Sequence, residues 1–126
     1  MDYREALDFL ARCTDLEVAS SRRVLYRDFN LSRVAALLRF LGDPHLAVPV
    51  VHIAGTKGKG STAAMVAAVL EAAGLRPGLY TSPHLHSVRE RIVFCGNPVA
   101  EDDLASLVET LQWAAMEVNK NMNLGQ

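Results

Sequence analysis

Two cysteines are present in 126 residues, Cys13 and Cys95, and they form no CxxC or Cys/His pattern. Such a pair fits a reducing cytosol better than a disulfide scaffold. A membrane-length apolar run is also lacking. The opening Met1-Asp2-Tyr3-Arg4-Glu5 puts charges where a signal peptide needs an apolar core. Neither sign of charge is in excess: the net charge is −1, with acidic and basic residues mixed along the chain. A general nucleic-acid binder needs a basic face or stripe, so that class is disfavoured. The small cluster Arg22, Arg23 and Arg27 reads as a solvated helix face. There is no internal repeat and no low-complexity linker. These absences leave a cytoplasmic globular domain with neither membrane nor nucleic acid as partner.

What is present suffices for a buried core. Half of the residues are hydrophobic and 21% are charged, in a chain the size of one domain. Tyr3 to Cys13 reads as a short amphipathic helix with Ala6, Leu7, Phe9 and Leu10 on its apolar face. Leu31 to Leu41 predicts a second helix, ended by Gly42-Asp43-Pro44. Pro49 to Ala54 is nearly continuous in apolar residues, as expected of a strand covered on both faces. His52 within it reads as a core histidine.

A helix over Ala63 to Ala73, ended at Gly74, then leads to a second strand at Gly78 to Thr81. Strand, helix and strand in this order predict a βαβ unit with parallel pairing. Arg91 to Phe94 gives a third strand, turning at Gly96-Asn97-Pro98 and returning through Val99 as a small hairpin. Glu101, Asp102 and Asp103 open a final helix through Leu104, Leu107, Val108, Leu111 and Met116, with fraying expected from Asn119. The expected fold class is α/β with an incomplete parallel sheet flanked by helices.

The densest chemical signal is Gly55-Thr56-Lys57-Gly58-Lys59-Gly60-Ser61-Thr62, between the first strand and its helix. Glycines let the backbone close around an anion, a lysine adds a movable positive charge, and the helix start contributes free N–H groups. The run departs from the strict Walker pattern, which would need glycine at Ile53 and Ser or Thr at Gly60. The alternative is a glycine-rich turn that only joins strand to helix. The strand–loop–helix context favours a nucleotide-phosphate site.

A second constellation, Thr81-Ser82-Pro83-His84-Leu85-His86, follows the second strand. Ligands in open α/β sheets bind beyond the carboxyl ends of the strands, which would set this loop beside the phosphate cradle. Ser82 offers a hard oxygen for magnesium, or else only shapes the turn before Pro83. His84 and His86 alone are a weak zinc signal and read better as surface or hydrogen-bonding histidines.

Together, His52 to Ser61, Gly78-Leu79-Tyr80-Thr81-Ser82-Pro83-His84-Leu85 and Glu90-Arg91-Ile92 resemble the N-terminal part of folylpolyglutamate synthase/dihydrofolate synthase. That family lies in the Mur ligase superfamily. The first motif indicates the superfamily, and the Thr-Ser-Pro-His loop with Glu90-Arg91-Ile92 favours the folate branch. The resemblance implies the start of a P-loop-containing, Mur-ligase-type central ATPase domain. Residues 1–46 would be its leading helices, and 47–126 the phosphate-loop βαβ unit, small hairpin and final helix.

The implied activity is ATP-dependent ligation of L-glutamate to a folate or dihydropteroate carboxylate through an acyl phosphate. Lys59 would be the catalytic cation, and Gly55, Thr56, Lys57, Gly58, Gly60, Ser61 and Thr62 would complete the nucleotide site. Ser82 and Ser61 would hold Mg2+. Pro83, His84, Leu85, Arg89 and Arg91 would belong to the loop over the folate, with Arg91 and Glu90 alternatively a structural ion pair. Family chains are much longer, so this chain is expected to be an inactive fragment that needs C-terminal sequence for ligation. The alternatives are a stand-alone nucleotide-binding module and another Mur-type amide ligase.

Overall fold

The computed structural model describes residues 1–13 and 31–123; the Arg22, Arg23 and Arg27 cluster lies outside them. The chain divides into two compact units, Met1–Val50 with Ala105–Gln126, and Val51–Leu104.

The first unit is helical. α1 (Tyr3–Arg12) starts with a reciprocal cap: the Glu5 N–H donates to Asp2 Oδ1 at 2.8 Å, and the Asp2 N–H donates to Glu5 Oε2 at 2.9 Å. Two of the helix's otherwise unsatisfied donors are met in this way. α2 (Leu31–Phe40) stops where Gly42 (φ 81°) and Asp43 (φ 52°) turn left-handed and the Asp43 N–H reaches back to Leu38 O. Pro44 then opens a single 3₁₀ turn, Pro44–Leu46.

α4 (Glu101–Asn123) is the long element, with Glu101, Asp102 and Asp103 in its first turn as the helix dipole favours. It continues as helix to Asn123, past the Asn119 at which fraying is expected from sequence. Arg33 Nη2 donates to Asn119 Oδ1 at 2.9 Å, and the Phe40 and Trp113 rings meet at 5.3 Å. Advancing along α2 therefore means retreating along α4, so the two helices run antiparallel. The terminal ammonium of Met1 pairs with Glu109 at 2.9 Å and ties the start of α1 to α4. Buried positions are Ala6, Leu104, Ala105, Val108, Ala114 and Val118. Small residues dominate this stripe because helices approach closely only where side chains are short. Leu107, Leu111 and Met116 of the same helix are exposed.

The second unit carries α3 (Lys59–Ala72) and a three-stranded sheet of β1 (Gly78–Tyr80), β2 (Ile92–Phe94) and β3 (Asn97–Pro98). α3 lies against β1. β1 pairs antiparallel with β2 (Leu79 opposite Val93), and β2 pairs antiparallel with β3 (Phe94 opposite Asn97). Two sequence expectations are corrected here. Every pairing among the described residues is antiparallel, so no parallel sheet is present among them. Residues 49–54 are not a strand and are largely exposed, His52 included, rather than a covered core strand. Apolar, β-branched composition reports a tendency to be covered. A strand also needs a neighbour for its N–H and C=O groups, and among the described residues this segment has none.

The hairpin is confirmed, one residue earlier than expected. Its two-residue turn is Cys95 (φ 46°) and Gly96 (φ 75°), and positive φ at both centres is what a tight right-twisting hairpin needs. The Asn97 side chain braces it by donating to Cys95 O at 3.0 Å.

Candidate functional site

All the sequence-predicted site residues fall within the second unit. α3 begins at Lys59, four residues earlier than Ala63, so Lys59, Gly60, Ser61 and Thr62 form its first turn. Gly58 caps it in the left-handed region at φ 75°, a conformation that glycine adopts without penalty. The first intrahelical bond runs from the Thr62 N–H to Gly58 O at 2.9 Å. The N–H groups of Lys59, Gly60 and Ser61 therefore have no carbonyl to reach within the helix, and they open onto the loop with the positive end of the dipole.

Lys59 folds back across this opening and donates from Nζ to Gly55 O at 2.8 Å. That bond closes the run from Gly55 to Lys59 into a ring. An ammonium has three donors, so the bond to Gly55 leaves others for an anion. Thr62 Oγ1 donates to Gly58 O at 3.0 Å, whereas the Ser61 side chain is exposed, with no hydrogen-bond partner among the described residues. Gly60 is informative in a different way. A Cβ there would meet nothing within 4 Å, and its φ is not left-handed. Neither packing nor backbone geometry within the protein requires glycine, which is a poor helix former. Close approach of a ligand to the backbone is a reason that does.

The second loop joins β1 to β2. It is closed at its base by the Thr81 N–H donating to Arg91 O at 3.1 Å. The Ser82–Pro83 peptide is cis, and Ser82, Pro83, His84, Leu85 and His86 are exposed. His84 is a hydrogen-bonding histidine, as expected: its Nδ1 accepts from Arg91 Nε at 2.8 Å. This acceptor role leaves the imidazole proton on Nε2.

Arg89 points elsewhere. Its Nε donates to Val99 O at 2.6 Å and its Nη1 pairs with Glu101 at 3.1 Å, which ties the loop to the start of α4. A 3₁₀ turn, Val88–Arg91, is capped by Ser87 with Glu90 in reciprocal position. The Leu85 and Ser87 N–H groups hold the Glu90 carboxyl below its ordinary pKa, against an opposing desolvation, and the His86 N–H adds a smaller lowering. Glu90, quoted in the motif and expected at most as a structural ion pair with Arg91, instead gathers three backbone N–H groups, a role the motif does not state. The signal was available as Ser87-x-x-Glu90, a capping-box spacing.

Among the described residues no group of three or more His, Cys, Asp or Glu gathers to hold a metal, and no helix is long and apolar enough to cross a membrane. The two loops offer a glycine-lined helix start with Lys59 bound back to Gly55 O, and a pinned loop with exposed apolar and imidazole side chains.

No protein-family model matches the chain. It is 41% identical over 108 residues to a probable bifunctional folylpolyglutamate synthase/dihydropteroate synthase of Haloferax volcanii, covering 86% of this chain and 12% of that protein. It is 42% identical over 85 residues to a folylpolyglutamate synthase of Lacticaseibacillus casei, covering 68% of this chain and 20% of that one. In structure it matches an FPGS–AMPPCP–folate complex with a TM-score of 0.84 and 31% identity, over 98% of this chain and 28% of the other. A folylpolyglutamate synthase from Thermotoga maritima matches with a TM-score of 0.77 and 36% identity, over 94% and 25% respectively. The chain thus spans 12% to 28% of the length of these relatives. In sequence and in fold it is similar to a portion of folylpolyglutamate synthase/dihydrofolate synthase.

Proposed function

We propose that this chain, a portion similar to folylpolyglutamate synthase/dihydrofolate synthase, supplies the ATP-phosphate site and part of the acceptor site of a folate–glutamate ligase. Its architecture is read as part of a P-loop-containing Mur-ligase-type ATPase domain. One observation carries the reading: Lys59 is bound back over a glycine-lined helix start, in a fold matched across 98% of its length by FPGS with AMPPCP and folate.

In this reading the N–H groups of Lys59, Gly60 and Ser61 receive phosphate oxygens, and Gly55, Thr56, Lys57 and Gly58 shape the loop around them. Lys59 exchanges its bond to Gly55 O for the β- and γ-phosphates. It then stabilises charge that builds as the γ-phosphoryl group moves to the acceptor carboxylate. The acyl phosphate so formed is open to the amine of L-glutamate, which displaces phosphate and forms the amide.

Ser61 and Ser82 offer exposed hydroxyl oxygens. A donor set of hydroxyls completed by phosphate oxygens and water fits magnesium, a hard ion that keeps several waters, far better than zinc. Magnesium held there supplies charge neutralisation between the phosphates. Pro83, His84, Leu85 and Arg91 are assigned to the folate side, with His84 presenting its Nε2–H. Arg89, already engaged with Val99 and Glu101, serves by holding that loop to α4. Ligation is assigned to this chain together with further sequence of the kind its longer relatives possess, acting in the cytoplasm.

The test is an ATP-dependent glutamate ligation assay on the protein as its natural source makes it, with folate, dihydropteroate and UDP-muramyl peptides as acceptors. Turnover with a pterin acceptor, abolished in Lys59→Ala, is expected. Turnover only with muramyl peptides, or unchanged folate turnover in Lys59→Ala, would contradict the assignment.

A further inference from the structure

We propose that Glu90 is the positioning residue of the acceptor loop: it touches no substrate, and it sets the path of Leu85, His86 and Ser87. This rests on the folate-ligase reading above and adds to it a residue with an assigned task. Glu90 Oε2 accepts the Leu85 N–H at 2.9 Å, and Oε1 accepts the N–H groups of His86 at 3.0 Å and Ser87 at 2.8 Å. Three consecutive donors converging on one carboxylate turn the backbone inward and the side chains outward. Leu85 is accordingly 84% exposed, and His86 is exposed beside it.

An apolar side chain displayed so fully on a loop held so closely has no packing role within the described residues. Display toward a flat, partly apolar acceptor gives it one. The rest of the loop is pinned independently, by the Thr81–Arg91 backbone bond at its base and by Arg91 Nε on His84 Nδ1. Loss of Glu90 should therefore release the segment 85–87 and leave both ends of the loop in place. Charge-assisted bonds from backbone N–H groups are the stronger kind, and this carboxylate makes three. A neutral carboxamide at position 90 keeps one acceptor oxygen, enough for His86 and Ser87, and loses the bond to Leu85.

The experiment compares the natural protein with Glu90→Ala and Glu90→Gln. It reads KM for the pterin acceptor, KM for ATP, kcat, and the hydrogen-exchange rates of the Leu85, His86 and Ser87 amides. Acceptor KM should rise about tenfold in Glu90→Ala and less in Glu90→Gln, with KM for ATP within about twofold of the parent. Exchange should quicken at all three amides in Glu90→Ala and chiefly at Leu85 in Glu90→Gln. Unchanged acceptor KM, unchanged exchange, or a rise in both KM values together would overturn the positioning role. A parent protein that binds ATP yet turns over no pterin acceptor would instead defeat the folate reading. That result appears before any variant is made and removes the acceptor role with it.

Discussion

Gly60 separates stability from function at the scale of one residue. It sits in the first turn of α3 with open space where a Cβ would go, and with no left-handed φ to demand glycine. Gly60→Ala should therefore raise stability, by about 0.5 kcal/mol, because alanine is the better helix former. The same methyl stands where a phosphate would approach the backbone, so nucleotide affinity should fall. Thermal unfolding and nucleotide titration on the one variant read both effects; a fall in stability without a change in affinity would assign Gly60 to the fold alone.

Glu90 gives the pH counterpart. Its carboxyl titrates lower in the folded protein because backbone N–H groups, Leu85 first and Ser87 next, bond the charged form. A depressed folded-state value makes the contribution complete above the unfolded value of roughly 4.3, and it is lost as pH falls through the folded one. The exchange protection of Leu85, His86 and Ser87 should accordingly hold from neutrality down to that region and collapse below it. Constant protection across the acid range would contradict the assigned cause.

Among the elements, the β2–β3 hairpin is the cleanest case of local chemistry deciding local shape. Its turn places Cys95 at φ 46°, a region that asparagine and glycine enter more cheaply than cysteine. Cys95→Asn should stabilise the protein by up to about 1 kcal/mol, measured by denaturant midpoint; a loss of stability would mean that the half-buried thiol packs better than the turn improves.

The same hairpin shows what could be read in advance and what could not. The strand at Ile92–Phe94 and its return were legible because a short apolar run and a Gly/Asn/Pro cluster are local signals. The turn centre is one residue earlier than Gly96-Asn97-Pro98 suggests, because Cys95 itself takes a positive φ. The helix start was read at Ala63 because the Gly-Lys-Gly-Ser run suggests loop, although Gly58 in the left-handed region lets the helix begin at Lys59. The strand at Pro49 to Ala54 failed for a different reason. Its composition asks for coverage and pairing, and no other described segment supplies a partner. Ladder partners are a property of the fold, and the residues 49–54 do not carry them.

For the whole molecule, the resemblance to folylpolyglutamate synthase was legible because it rests on chemically demanding residue types: a Gly/Lys run and a Ser-Pro-His loop. Matching FPGS structures over nearly all of this chain supports that reading. What composition concealed was the division of labour within the second loop. Arg89, expected in the loop over the folate, bonds Val99 O and Glu101. Glu90 looked like the partner of its neighbour and organises three backbone amides. Charged residue types announce themselves in a sequence, but their partners are set by a chain path that spacing alone does not define.

In the proposed function, the loop from Gly55 to Thr62 binds nucleotide phosphates through Lys59 and the start of α3. The most direct measurement is calorimetric titration of the natural protein with magnesium-ATP, beside its Lys59→Ala variant. The account predicts saturable one-to-one binding that weakens by at least about tenfold in the variant, the scale expected on removing a charge-assisted contact to phosphate. Absence of saturable binding in the unaltered protein, or equal affinity in the two, would contradict it.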